Sequence, residues 1–100
     1  MNNIDATALK KLLASGEEIQ LVDVREDWEH EVFNIGGLNI PLGNLIKETD
    51  KLEKDISVIF YCEKGIRSVI ALQRLATLPN AINFYNLTGG MQAWRNAQDI

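Results

Sequence analysis

The segment Ile56-Ser57-Val58-Ile59-Phe60-Tyr61 constrains the fold more than any other part of this chain. It is β-branched and almost continuously apolar, the pattern of a strand buried on both faces. Sheets whose strands are covered on both sides are built from strands that alternate with helices. The rest of the chain supplies that alternation. Asp5 to Ser15 predicts a helix, with Asp5 as its cap, Leu9, Leu12 and Leu13 on one face, and Gly16 after its end. Glu18 to Val24 predicts a short strand. Glu26 to Phe33, charged and aromatic, predicts a short surface helix. Leu38 to Ile40 allows a brief strand that Pro41 ends. Leu42 to Leu52 predicts a second amphipathic helix, and a third runs from about Ile66 to Leu78, stopped by Pro79. Ile82 to Tyr85 predicts a further strand, and Gly89-Gly90 turns the chain into a last helix with Met91, Ala93 and Trp94.

This order implies an α/β fold: a single three-layer domain with a mainly parallel central sheet and helices on both faces. Residues 1–100 are read as one domain, because a chain of 100 residues is too short for two independent cores. The formal net charge of -4 disfavours nucleic acid as a partner, since there is no basic run and no aromatic platform. No apolar stretch is long enough to span a membrane, and Met1 to Asp5 lacks the basic start of an export signal. Cys62 is the single cysteine, and a free thiol without such a signal fits a reducing cytoplasm. A monomer is expected, because each apolar stretch has a place in the core.

In parallel α/β sheets ligands bind beyond the carboxyl ends of the strands. Cys62 stands there, directly after the most apolar strand. The loop Cys62-Glu63-Lys64-Gly65 then leads into a helix. A loop entering a helix N-terminus can aim several backbone N–H groups at one spot, and Gly65 permits the tight curl this needs. Such a nest holds an anion and favours the thiolate, the nucleophilic form of cysteine. Lys64 and Arg67 add positive charge and Glu63 opposes them. A lone cysteine is often only a small buried hydrophobe; its position in this loop favours a functional one.

The run Tyr61-Cys62-x-x-Gly65-x-Arg67-Ser68 resembles the active-site loop of rhodanese domains. Leu21-Val22-Asp23-Val24-Arg25-Glu26 is similar to the first strand motif of that family. Ile35-x-Gly37-Leu38-Asn39-Ile40-Pro41 is similar to the loop before its second strand, and Leu87-Thr88-Gly89-Gly90-Met91-x-x-Trp94 to its closing turn and helix. Four such pieces in the right order span nearly the whole chain. The resemblance implies a sulfurtransferase without cofactor or metal. Cys62 would attack a sulfane sulfur, carry it as a persulfide, and yield it to a thiol or cyanide. The backbone N–H groups of Glu63, Lys64, Gly65, Ile66, Arg67 and Ser68 would hold the negative terminal sulfur. Lys64 and Arg67 would attract an anionic donor. Ser68 would cap the helix or donate to the persulfide. The donor would be a small sulfur anion such as thiosulfate, or a persulfide-bearing protein.

Phosphatases of similar architecture use a longer loop, so phosphatase or arsenate reductase activity is a minor alternative. A non-catalytic binding or redox-sensing module on the same fold is the second hypothesis. Asn34 stands where the family usually has histidine, and Glu63 is acidic beside the nucleophile. Asp23 and Arg25 could support the site, but an ion pair that holds the loops is the preferred reading. His30, between Glu29 and Glu31, is expected on a solvated helix face, with no metal. Trp28 and Trp94 are expected to be packing anchors, and Met91 core.

Overall fold

The computed structural model describes residues 1–97. Five strands form one sheet in the order β1-β5-β4-β2-β3: β1 (Asn2–Ile4), β2 (Ile19–Asp23), β3 (Leu38–Asn39), β4 (Ser57–Tyr61) and β5 (Phe84–Leu87). Every pairing among them is parallel, from Ile19 opposite Ser57 to Asp23 opposite Tyr61 along the central seam. Parallel neighbours need crossover connections, which helices supply. These are α1 (Ala6–Ala14), α2 (Asp27–Val32), α3 (Ile66–Arg74) and α4 (Gly90–Asn96).

The pleat sends alternate side chains of each strand into two separate cores. On one face Val22, Val58, Phe60 and Phe84 pack with Leu45, Leu52, Ala71, Leu72 and Leu75, beneath α3 and the 3-10 helical stretch Leu42–Lys51. Phe60 and Phe84 meet edge to face, with ring centroids 5.2 Å apart. On the other face Leu21, Ile59, Tyr61 and Leu87 pack with Ala6, Leu9 and Met91 of α1 and α4. The three layers expected from the sequence are therefore present.

The differences are local. Asn2–Ile4 adds an edge strand that three residues of low apolar content did not announce; it is held by pairing with β5. Leu42–Lys51 is 3-10 rather than α-helical and breaks its helical geometry at Glu48. Its apolar stripe still buries Leu45, so periodicity located the element but not its winding. The helix expected from Ile66 to Leu78 ends at Arg74. The strand expected over Ile82 to Tyr85 lies at Phe84–Leu87, after a 3-10 turn at Ala81–Asn83. No helix of the described residues is long and apolar enough to cross a membrane.

Candidate active site

Cys62 leaves the carboxyl end of β4 and is 1% exposed. Its Sγ accepts hydrogen bonds from the backbone N–H of Gly65 at 3.1 Å and of Ser68 at 3.3 Å. These donors belong to the entrance of α3, whose first turn has N–H groups without helical partners. No side chain caps this helix, and the sulfur takes the place of a cap. Gly65 makes the turn in the left-handed region, at φ +89°.

The loop is held from behind by α4. The N–H of Met91 donates to the carbonyl of Cys62 at 2.8 Å, and that of Gln92 to the carbonyl of Glu63 at 3.0 Å. With its carbonyls turned toward α4, the loop presents N–H groups to the sulfur. Gly90 sits in the contact; a Cβ there would lie 2.3 Å from the Cys62 carbonyl oxygen.

Ser68 is buried, and its Oγ lies 3.4 Å from Sγ. Its hydroxyl donates to Oδ1 of Asn86, whose Nδ2 donates in turn to Oδ1 of Asn3 at 3.2 Å. With that proton given to Asn86, the Ser68 oxygen is placed to accept from the Cys62 thiol. Asn86 did not figure in the sequence reading. A polar residue between Tyr85 and Leu87 in a strand was the available signal.

Arg67 does not stand free over the loop. Its Nη1 and Nη2 contact Oε1 and Oε2 of Glu29 at 2.6 and 2.9 Å. Glu29 Oε1 also accepts from the backbone N–H of Glu26 at 3.1 Å, which fixes it at the start of α2. The hydrogen bond from Arg67 holds the Glu29 carboxyl well below the usual carboxylate range, at about 2. The same bond, opposed by burial, raises Arg67 above its ordinary value. Glu29 lies 38 residues from Arg67 in sequence; only the Glu26-x-x-Glu29 capping spacing hinted at its order. Glu63 is paired too. It meets Arg95 through Nη1 at 2.5 Å and Nη2 at 3.3 Å, and its Oε1 is 3.6 Å from Arg25 Nη1. Lys64 is exposed at the tip of the loop.

Asp23 and Arg25 form a buried pair: Arg25 Nε lies 3.0 Å from Asp23 Oδ1, and Nη2 lies 2.8 Å from Oδ2. Arg25 Nη2 also donates to the carbonyl of Phe33 at 2.6 Å, which ties β2 to the end of α2. Burial alone would lower the Arg25 pKa, but the Asp23 carboxylate outweighs it and raises it. His30 is corrected: it turns inward to place Nδ1 2.9 Å from Asp23 Oδ2, with its side chain 21% exposed. A buried carboxylate was available to it, which flanking charges could not reveal. Trp28 is corrected as well, because it is 67% exposed and anchors nothing. Trp94 packs against the α1–α4 core, and Met91 is buried within it. Asn34 closes the end of α2, donating to the His30 carbonyl at 2.9 Å and accepting from the Gly36 N–H at 2.8 Å. Burial raises the Tyr61 phenol pKa, so it stays a donor to the Gly36 carbonyl at 3.0 Å.

A cleft of about 360 Å³ opens above the loop, lined by Glu29, Cys62, Glu63, Lys64, Ile66 and Arg67. Two groups of the chain thus come together that sequence separated: the loop after β4 and the acidic start of α2. Among the described residues no cluster of His, Cys, Asp and Glu could hold a metal ion. A cleft that ends on a buried sulfur with N–H groups on it can stabilise charge on that atom or on one bonded to it.

Known proteins resemble this chain over nearly its whole length. The family model for the Rhodanese-like domain matches residues 5–97. YtwF of Bacillus subtilis is 33% identical over 94% of this chain and 90% of its own length. The sulfurtransferase of Allochromatium vinosum is 33% identical over 94% of this chain and 88% of its own. Among solved structures, a rhodanese-like domain protein from Staphylococcus aureus superposes with a TM-score of 0.84 at 29% identity, covering 94% of this chain and 91% of that one.

Proposed function

This chain belongs to the rhodanese-like domain family, and from that premise we propose that it is a sulfurtransferase carrying sulfur on Cys62. The observation that supports this most is the Sγ of Cys62, which accepts from the N–H groups of Gly65 and Ser68. In the first half-reaction the Cys62 thiolate attacks the outer sulfur of a sulfane donor. A bond from Sγ to that sulfur forms as the donor's own S–S bond breaks, and the electron pair leaves with the donor remnant, sulfite if the donor is thiosulfate. In the second, an acceptor thiol or cyanide attacks the outer sulfur and Cys62 departs as thiolate. Ping-pong kinetics are the expected signature.

The loop residues Glu63, Lys64, Gly65, Ile66, Arg67 and Ser68 surround the persulfide in this reading. Backbone N–H groups stabilise its terminal charge, and the Ser68 hydroxyl turns from Asn86 to donate when the sulfur is anionic. Asp23 and Arg25 hold the loops and do not touch the sulfur. Donors are small sulfane anions or a persulfide-bearing protein, and the acceptor is a thiol.

Intact mass measurement after incubation with thiosulfate or inorganic polysulfide, beside a Cys62→Ser control, tests this. The expected result is one added sulfur atom on the native chain only, released by cyanide. No addition from either donor, with the thiol still open to alkylation, would leave a persulfide-bearing protein as the donor to test, and no addition from that either would refute it.

A further inference from the structure

The reading above leaves the class of donor open, and this inference rests on it. The cleft lining carries two carboxylates, Glu29 and Glu63, and two cations, Lys64 and Arg67; Arg95 offsets Glu63, so Glu29 is the carboxylate that cancels a cation of the lining and Lys64 is the charge left facing a donor. Both carboxylates are held in place. Glu29 forks onto Arg67 through both oxygens while capping α2, and Glu63 is gripped by Arg95. Arg67, the cation that would otherwise meet an incoming anion, spends its charge on Glu29. The neighbouring Asp23–Arg25 pair is neutral in sum. Beside these charges Ile66 is 64% exposed and faces the cleft, an apolar surface that water covers in the free protein.

We propose that Glu29, acting through Arg67, is a specificity-determining residue that selects monoanionic sulfane donors with an apolar group, resting on Ile66, over dianionic thiosulfate. The chemistry is that of a thiosulfonate or an organic persulfide. With a thiosulfonate the Cys62 thiolate attacks the terminal sulfur and the Sγ–S bond forms. The bond to the sulfonyl sulfur breaks, and its electron pair leaves on a sulfinate. One negative charge on each reactant becomes one on each product. Benzenethiosulfonate is thiosulfate with one charged oxygen replaced by a phenyl ring, so the two form a matched pair.

The test uses Glu29→Gln, with Glu63→Gln as a second variant in case the first perturbs α2. The first readout needs no sulfur transfer: the rate of Cys62 alkylation by iodoacetate divided by that by iodoacetamide. Removing one carboxylate several ångströms away in a water-rich cleft raises this ratio about threefold. For sulfur uptake the effect on a dianion is twice that on a monoanion in the logarithm, so kcat/KM rises about tenfold for thiosulfate and about threefold for benzenethiosulfonate. The native protein prefers benzenethiosulfonate. An unchanged alkylation ratio in both variants, equal response of the two donors, or a native preference for thiosulfate overturns the proposal. A purely structural role for Glu29 would slow all reagents alike. Uptake from neither donor, even with a shifted alkylation ratio, overturns the donor selectivity proposed here, and sulfur transfer at Cys62 is then decided by uptake from a persulfide-bearing protein.

Discussion

Gly90→Ala tests whether α4 positions the sulfur-bearing loop. The substitution has two separable costs. Gly90 has φ +58°, and an L side chain in that region costs about 1–2 kcal/mol. The added Cβ would also lie 2.3 Å from the Cys62 carbonyl oxygen and 2.8 Å from the Glu63 carbonyl. The neighbours are backbone and cannot swing aside, so the loop and α4 must separate. That breaks the bonds from Met91 N–H to Cys62 and from Gln92 N–H to Glu63, each worth about 0.5–1.5 kcal/mol net. The total is about 2–5 kcal/mol, a large fraction of the ~5–15 kcal/mol that holds a domain together. Gly16→Ala is the control. Gly16 has φ +77° with nothing within 4 Å of an added Cβ, so it carries the backbone cost alone. Urea unfolding of both variants gives the difference, and the rate of Cys62 alkylation reports the loop. Gly90→Ala should lose about 1–3 kcal/mol more than Gly16→Ala, the worth of the two broken bonds, and should change the alkylation rate, which Gly16→Ala leaves alone. Equal losses in the two variants with native alkylation in both would refute the reasoning.

Other perturbations have signs set by the same geometry. The Glu29 carboxyl sits near 2 in the folded chain against an ordinary 4.5, so its ion pair with Arg67 contributes stability above about pH 4.5 and loses it as pH falls toward 2. The pair is partly exposed, so this contribution is about 1 kcal/mol; the stability gap between native protein and Glu29→Gln, by urea unfolding, should narrow across that window. Asp23→Ala strands the buried Arg25 guanidinium and should cost about 3–5 kcal/mol, read as a fall in the urea midpoint. Ser68→Ala leaves Asn86 Oδ1 buried without its donor and should cost about 1–3 kcal/mol in the same assay.

Local chemistry made much of this protein legible. The apolar run ending in Tyr61 reads as a central strand because burial on both faces leaves no room for alternation, and β4 is central. Asp5 caps α1 as its side chain dictates, accepting from the Ala8 N–H at 2.8 Å. A strand, a curl and a helix start within seven residues gave the expectation of N–H groups from Glu63 to Ser68 about one sulfur, and the structure puts those of Gly65 and Ser68 on it. Asn2–Ile4 was silent because its pairing depends on β5, which is more than 80 residues away in sequence. The shift of the last strand to Phe84–Leu87 has the same origin: Ile82 looks like a strand residue but stays 79% exposed in the turn.

The sequence by itself determined the layered parallel architecture, the place of Cys62 at a strand's carboxyl end, and the loop that leads from it into a helix. All of these follow from side-chain periodicity and from contacts a few residues apart. Only the tertiary structure decided the charge of the site. Arg67 and Lys64 read as two cations open to anions until α2 delivers Glu29 to Arg67, while α4 sets Arg95 on Glu63 and leaves the Lys64 charge to the cleft. His30 turned from solvent to Asp23, and Asn86 came beneath Ser68, for the same reason. Ionic and hydrogen-bond partners are chosen by proximity in space, and sequence spacing carries no record of which distant elements the folded sheet brings to one edge.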